Sequence, residues 1–305
     1  MKRDFISLQD YEPAELYELL NIAREIKAAP DEYRDSLKGK TLGMIFQKSS
    51  TRTRVSFEVG MYQLGGIALF LSANELQLGR GETIADTAKV LSRYLDAIMA
   101  RTYSHQDIVE LAKNATIPVI NGLSDLLHPC QALADYLTIM EKKGQFQGIK
   151  LAYIGDGNNV CHSLLIGASK FGINISIATP INYEPSKDIV NMAKENSKQS
   201  GASIYLSNDA YEAAANADVI YTDVWVSMGQ EKEKESRLKA FQGFQINSKL
   251  LSYAKKDVIF MHCLPAHRGE EVSDEVIDGE HSVVFDQAEN RLHAQKAILL
   301  KLLGE

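Results

Sequence analysis

Cysteine, proline and tryptophan are scarce: the 305 residues contain three, seven and one of them. Cys130, Cys161 and Cys263 are an odd number with no C-x-x-C spacing, which argues against a disulfide framework and a zinc site and suits a reducing compartment. An excess of positive charge is missing too. Against 33 basic side chains stand 40 acidic ones, a formal net charge of -7, so no general nucleic-acid surface is expected and anions must be held locally. No apolar run approaches the roughly 18 residues of a membrane span, and the start, "MKRDFISLQD", has neither an h-region nor a transit-peptide composition. A cytoplasmic protein without membrane or nucleic-acid partners is expected. Internal repeats and low-complexity tracts are absent as well.

What remains is ordinary globular composition, 45% hydrophobic and 24% charged, in a chain long enough for two domains of roughly 100 to 200 residues each. In "DYEPAELYELLNIAREIKA", Pro13 marks a helix start, and Leu16, Leu19, Leu20, Ala23 and Ile26 share one face. Then β-type runs, "KTLGMIF", "GIALFLS", "DAIMART" and "TIPVING", alternate with helical segments such as "ETIADTAKVLSRYL" and "SHQDIVELAKNA". After a helical bridge, "CQALADYLTIMEKKG", the rhythm resumes with "IKLAYIG", "INISIAT", "ASIYL", "ADVIYTDV" and "DVIFMH". This predicts an α/β protein of two domains, each a mainly parallel sheet covered by helices. The boundaries expected are 1–135, 136–288, and a C-terminal helix over 289–305 returning toward the first domain. The charged segment "QEKEKESRLKAFQG", with pairs Glu233–Arg237 and Glu235–Lys239, reads either as a solvated helix or as part of a mobile lid.

In open parallel sheets ligands gather at the carboxyl ends of strands, so polar clusters just after apolar runs are the places to search. After "TLGMIF" comes "SSTRTRVSFEVG", where Ser50, Thr51, Arg52, Thr53 and Arg54 offer hydroxyls, guanidinium forks and a helix start to a phosphate, or simply cap a helix. Arg101 ends "DAIMART" as an ion-pair partner or a ligand group. His128 and Gln131 of "HPCQ" stand at a helix start, either as donors to a carbonyl and its nitrogen or as a loop cap. Gly155 and Gly157 of "IGDGNNVCHS" suggest a dinucleotide fingerprint, but Val160 occupies the third small position and no acid ends the next strand; Asn158 and Asn159 instead suit a zwitterion. Asp223 can hold an ammonium, and Cys263 of "MHCLPAHRG" reads as nucleophile, hydrogen-bonding group or filler. His262 and His267 lack a convincing third metal ligand.

Taken in order, Ser-Thr-Arg-Thr-Arg, Arg101, His-Pro-Cys-Gln, Asp-Gly-Asn-Asn, Asp-x-x-x-Ser-Met-Gly and His-Cys-Leu-Pro resemble the aspartate/ornithine transcarbamoylase family along the whole chain. The resemblance implies carbamoyl transfer from carbamoyl phosphate to an amine in a homotrimer, with no metal, nucleotide or other cofactor. It places Ser50, Thr51, Arg52, Thr53 and Arg101 on the phosphate, with Gln77 reaching in from a neighbouring subunit. His128, Gln131, Cys263, Leu264 and Arg291 would grip the carbamoyl group; Arg52, Arg101, His128 and Cys263 are the catalytic set. Asn159, Asp223, Ser227 and Met228 would bind the acceptor. An acid facing an ammonium favours ornithine over aspartate, putrescine or an acylated ornithine. A non-catalytic binding protein and a nicotinamide dehydrogenase are the readings outside the family.

Overall fold

The computed structural model describes residues 2–74, 76, 81–227 and 229–304. Contacts divide the chain into two compact units: Met1–Leu137 with Glu289–Glu305, and Thr138–Ala288.

Unit 1 runs α1 (Pro13–Ala28), β1 (Thr41–Phe46), α2 (Thr51–Gln63), β2 (Ile67–Ser72), α3 (Ile84–Leu91), β3 (Ala97–Arg101), α4 (His105–Asn114), β4 (Val119–Leu123) and the start of α5 (Pro129–Lys143). The α1 face expected from the 3.6-residue period is the buried one. The four strands are parallel, in the order β2-β1-β3-β4. Ile45, Ile98, Ala100 and Val119 of the sheet pack with Ala88, Ile108 and Leu111 of α3 and α4. β2 is one of the two edge strands, and its apolar sequence is largely uncovered: Ile67 is 61% exposed.

Unit 2 continues with β5 (Lys150–Ile154), α6 (Asn159–Phe171), β6 (Asn174–Ala178), α7 (Lys187–Ser200), β7 (Ile204–Ser207), α8 (Ala210–Ala214), β8 (Val219–Thr222), α9 (Lys234–Ala240), α10 (Ser248–Leu251), β9 (Ile259–His262), α11 (Asp274–Ile277) and the first turn of α12 (Val284–Leu303). Its five parallel strands are ordered β7-β6-β5-β8-β9. Ile154, Ile220 and Phe260 meet Trp225, Phe241 and Phe244 in its core, where Trp225 stacks on Phe241. Among the described residues, all nine strands and both covered sheets follow the predicted alternation. Among the described residues no helix is long and apolar enough to cross a membrane.

Candidate active site

In each sheet the strand order reverses direction at one place, between β1 and β3 in unit 1 and between β5 and β8 in unit 2. Loops leaving the carboxyl ends of two such strands diverge to opposite faces and leave room for a ligand. Most of the sequence-predicted polar clusters lie on these loops or close beside them.

In unit 1 the β1–β3 register pairs Phe46 with Arg101, so the buried Arg101 stands beside the strand end from which residues 47–50 depart. Ser50 is the N-cap of α2: its hydroxyl accepts the Thr53 N–H at 3.2 Å and donates to Thr53 Oγ1 at 3.0 Å. Thr51 is exposed and Arg52 half-buried on the first turn. Arg291, buried on α12, donates to Thr53 Oγ1 at 2.8 Å and to Gln131 Oε1 at 3.1 Å, and Gln131 in turn donates to Asp135 at 2.8 Å. Thr53 Oγ1 therefore accepts from two donors, which leaves its own O–H to donate. His128, just before α5, is buried, and burial together with the charges of Arg291 and Arg101 holds its pKa well below the usual imidazole range. It is a neutral ring beside two guanidiniums. The structure thus brings Ser50, Thr53, Gln131 and Arg291 into one hydrogen-bonded chain, with Arg101 and His128 alongside. Neighbouring Cys130 is filler: its thiol meets the Asn121 carbonyl at 3.3 Å, and burial pushes its pKa up to about 12.

In unit 2 the loop after β5 explains its glycines without a nucleotide. The Gly157 N–H donates to the Tyr183 carbonyl at 2.9 Å, and a Cβ there would stand 2.3 Å from the Pro185 nitrogen. Asn158 caps α6, its Oδ1 accepting the Val160 and Cys161 N–H groups at 3.0 and 3.1 Å. Its Nδ2 donates to Asp223 Oδ2 at 2.8 Å, while Cys263 Sγ donates to Asp223 Oδ1 at 2.9 Å. Asp223, just past β8, is buried. Asn159 is half-buried at the start of α6, and Ser227 is tied to Gln230, whose side-chain oxygen accepts its N–H at 3.1 Å. Leu264 follows Cys263 with a φ of 59°, in the left-handed region. Gln77 and Met228 lie outside the described residues.

Two residues of this unit, Arg237 and Asp156, form a buried ion pair that the sequence did not announce. Arg237, expected on a solvated or mobile segment, is buried on α9; it donates to Asp156 Oδ2 and to the Trp225 carbonyl, both at 3.0 Å, besides making the predicted pair with Glu233. Burial pushes Asp156 up to about 6 despite the bonded Arg237. Nothing in the local sequence separates this arginine from an exposed one. Groups of metal-ligating type do come together, Asp223–His262–Cys263 and His267–Glu270–Glu271, with ligand atoms within 4.8 Å of one another. In the first group the ring nitrogens of His262 and both Asp223 oxygens already take part in hydrogen bonds.

Residues 3–141 match the aspartate/ornithine carbamoyltransferase carbamoyl-P binding domain, and residues 147–302 match the Asp/Orn binding domain of the same family. An ornithine carbamoyltransferase of Pyrococcus horikoshii is 60% identical over 304 residues, 99% of this chain and 96% of that one. One of Pyrococcus furiosus named as anabolic is also 60% identical, over the same shares. The solved structure of the Pyrococcus furiosus ornithine carbamoyltransferase superposes with a TM-score of 0.96 at 59% identity, covering 99% of this chain and 97% of that chain.

Proposed function

Since the chain belongs to the aspartate/ornithine carbamoyltransferase family, we propose that it transfers the carbamoyl group of carbamoyl phosphate to the δ-amino group of L-ornithine, giving L-citrulline and phosphate for arginine biosynthesis. The observation that carries the choice of acceptor is the state of Asp223. Among the described residues its two carboxylate oxygens accept from neutral groups, an amide and a thiol, so the carboxylate keeps its attraction for a cation such as a ligand ammonium. A dicarboxylic acceptor would meet repulsion there.

Attack of the amine on the carbamoyl carbon builds negative charge on the carbonyl oxygen. Arg101, neutral His128 and the free O–H of Thr53 are the donors for it, preorganised in a buried setting, and each is worth on the order of 100- to 1000-fold in rate. Ser50, Thr51, Arg52 and Thr53 with the α2 N-terminus take the departing phosphate. Gln131, Arg291, Cys263 and Leu264 hold the carbamoyl group, and Asn159, Ser227 and Met228 hold the amino-acid end of ornithine. The δ-amine, resembling lysine with a pKa of about 10.4, is nucleophilic in only a fraction on the order of 0.001 near neutrality, so activity should climb toward alkaline pH; a flat profile would contradict control by amine deprotonation.

The working form we propose is a cytoplasmic homotrimer, with Gln77 of each chain completing a neighbour's phosphate site. In support, edge strand β2 and helix α2 leave Val55, Tyr62, Ile67, Leu69 and Phe70 exposed, an unusual number of large apolar side chains for one short stretch. Light scattering gives the mass directly, and a monomer would end this reading. The activity test offers ornithine, aspartate, putrescine and N-acetylornithine with carbamoyl phosphate: citrulline from ornithine alone is expected. Product from another amine would overturn the role given to Asp223, and no product at all would leave a binding protein.

A further inference from the structure

Behind the Cys263–Leu264 turn, and within 4.8 Å of ligand atoms of Asp223 and Cys263, stands His262 at the end of β9; like the carboxylate of Glu271 it has no exposed surface and no role in the reading above. Leu264 donates its N–H to His262 Nδ1 at 2.9 Å. Nδ1 is therefore the acceptor and the ring proton sits on Nε2, which lies 3.2 Å from Glu271 Oε1. Both partners are anchored. The His262 N–H donates to Gln287 Oε1 at 2.9 Å, the Glu271 carbonyl accepts the Ile246 N–H at 2.9 Å, and Glu271 Oε1 also accepts the His267 N–H at 2.5 Å. Between the anchors the backbone adopts a conformation that an L-residue disfavours, with Leu264 at φ 59°. The imidazole bridges residue 262 to residue 264 and holds that turn closed.

We propose that His262 and Glu271 are positioning residues for carbamoyl transfer: the carboxylate selects the Nε2–H tautomer, and the ring then pins the Leu264 amide, fixing where Cys263 and Leu264 are presented. The other tautomer would set a ring N–H against the Leu264 N–H, so without the acid the pin fails, by the same logic that a buried aspartate orients a catalytic histidine. The proposal rests on the reading above that Cys263 and Leu264 face the carbamoyl group.

Four full-length variants test it. His262→Asn keeps an acceptor near the Nδ1 position, whereas His262→Gln carries its amide out toward Nε2 and withdraws the acceptor from Leu264. Glu271→Gln keeps an oxygen for the Nε2 proton, and Glu271→Leu keeps none. His262→Gln and Glu271→Leu should each lose about 100-fold in kcat, the scale of a small misplacement of reacting groups, while the other two stay within about tenfold of the parent. Alkylation of Cys263 by iodoacetamide reads the turn without turnover, because Cys130 and Cys161 are buried thiols with raised pKa values. Its rate should change in His262→Gln and Glu271→Leu and match the parent in the conservative pair. Losses that instead follow the melting temperatures of the four variants, with unchanged Cys263 alkylation, would reduce the pair to a structural contact and overturn the proposal. Protection of Cys263 by carbamoyl phosphate in the parent is a separate measurement. Its absence would remove Cys263 from the site, whereas the variant pattern tests the pin itself.

Discussion

In unit 1 the buried His128 is surrounded by guanidiniums and gives up its charge, while in unit 2 the buried Asp156 is pushed toward its neutral form even though Arg237 bonds it. Burial acts against ionisation in both, from opposite directions for an acid and a base. The difference lies in what carries the remaining charge. Unit 1 leaves it to arginines, which stay protonated at any working pH, so its attraction for an anion does not titrate away. Unit 2 treats two of its buried carboxylates differently: Asp156 has an internal cation, and Asp223 has an amide and a thiol. In the proposed reading, one carboxylate holds the fold and the other receives the ornithine ammonium.

Breaking the unit 1 side should have the largest effect. Arg101→Ala removes a charge-bearing donor and should lower kcat by about 1000-fold, with weakened carbamoyl phosphate binding; a loss below tenfold in steady-state assays would show that Arg101 is only an ion-pair partner. Next, Asp223→Ala should raise the ornithine KM by about 100-fold while equilibrium dialysis finds carbamoyl phosphate still bound. Equal damage to both ligands would erase the division of labour between the units.

A smaller effect separates the two carboxylates by pH. The folded pKa of Asp156 lies above the usual 3.8, so the native state holds that proton more tightly than the unfolded chain does. Its contribution to stability is most favourable below about pH 4 and declines as the pH rises to about 6. Asp156→Asn removes that decline, so thermal unfolding should show the variant improving relative to the parent by on the order of 2 kcal/mol across this window. A constant gap would mean that Arg237 fully offsets the burial of the acid. Smallest of all, Asn158→Ala should cost about 1 kcal/mol of stability through the lost cap and raise the ornithine KM a few-fold through the freed Asp223 oxygen. A variant with the parent's melting temperature would refute the cap.

The sheets were legible because their strands are short runs rich in apolar residues, and the same reading singled out Arg101 at the end of one such run, Asp223 directly after another and His128 a few residues beyond a third. The rest depended on distance along the chain. Arg291 meets Thr53 across 238 residues and Arg237 meets Asp156 across 81, and no local pattern announces either meeting. The Glu233–Arg237 pair looks the same on paper whether its arginine points to water or into the protein. Asn158 and Asn159 are the same residue type side by side, yet one is spent on capping a helix and bonding Asp223. Only the fold decides which.

The uncovered edge strand has a consequence for the protein before it ever meets substrate. A newly made chain displays Ile67, Leu69 and Phe70 on an open hydrogen-bonding ladder, the arrangement most prone to indiscriminate pairing with other chains. In the proposed trimer, partner copies covering this strand would bind the folded form and not the unfolded one, so persistence would become a matter of abundance: dilute preparations should lose activity with time and concentrated ones keep it. The amount of this enzyme that a cell makes would then set how long each molecule lasts.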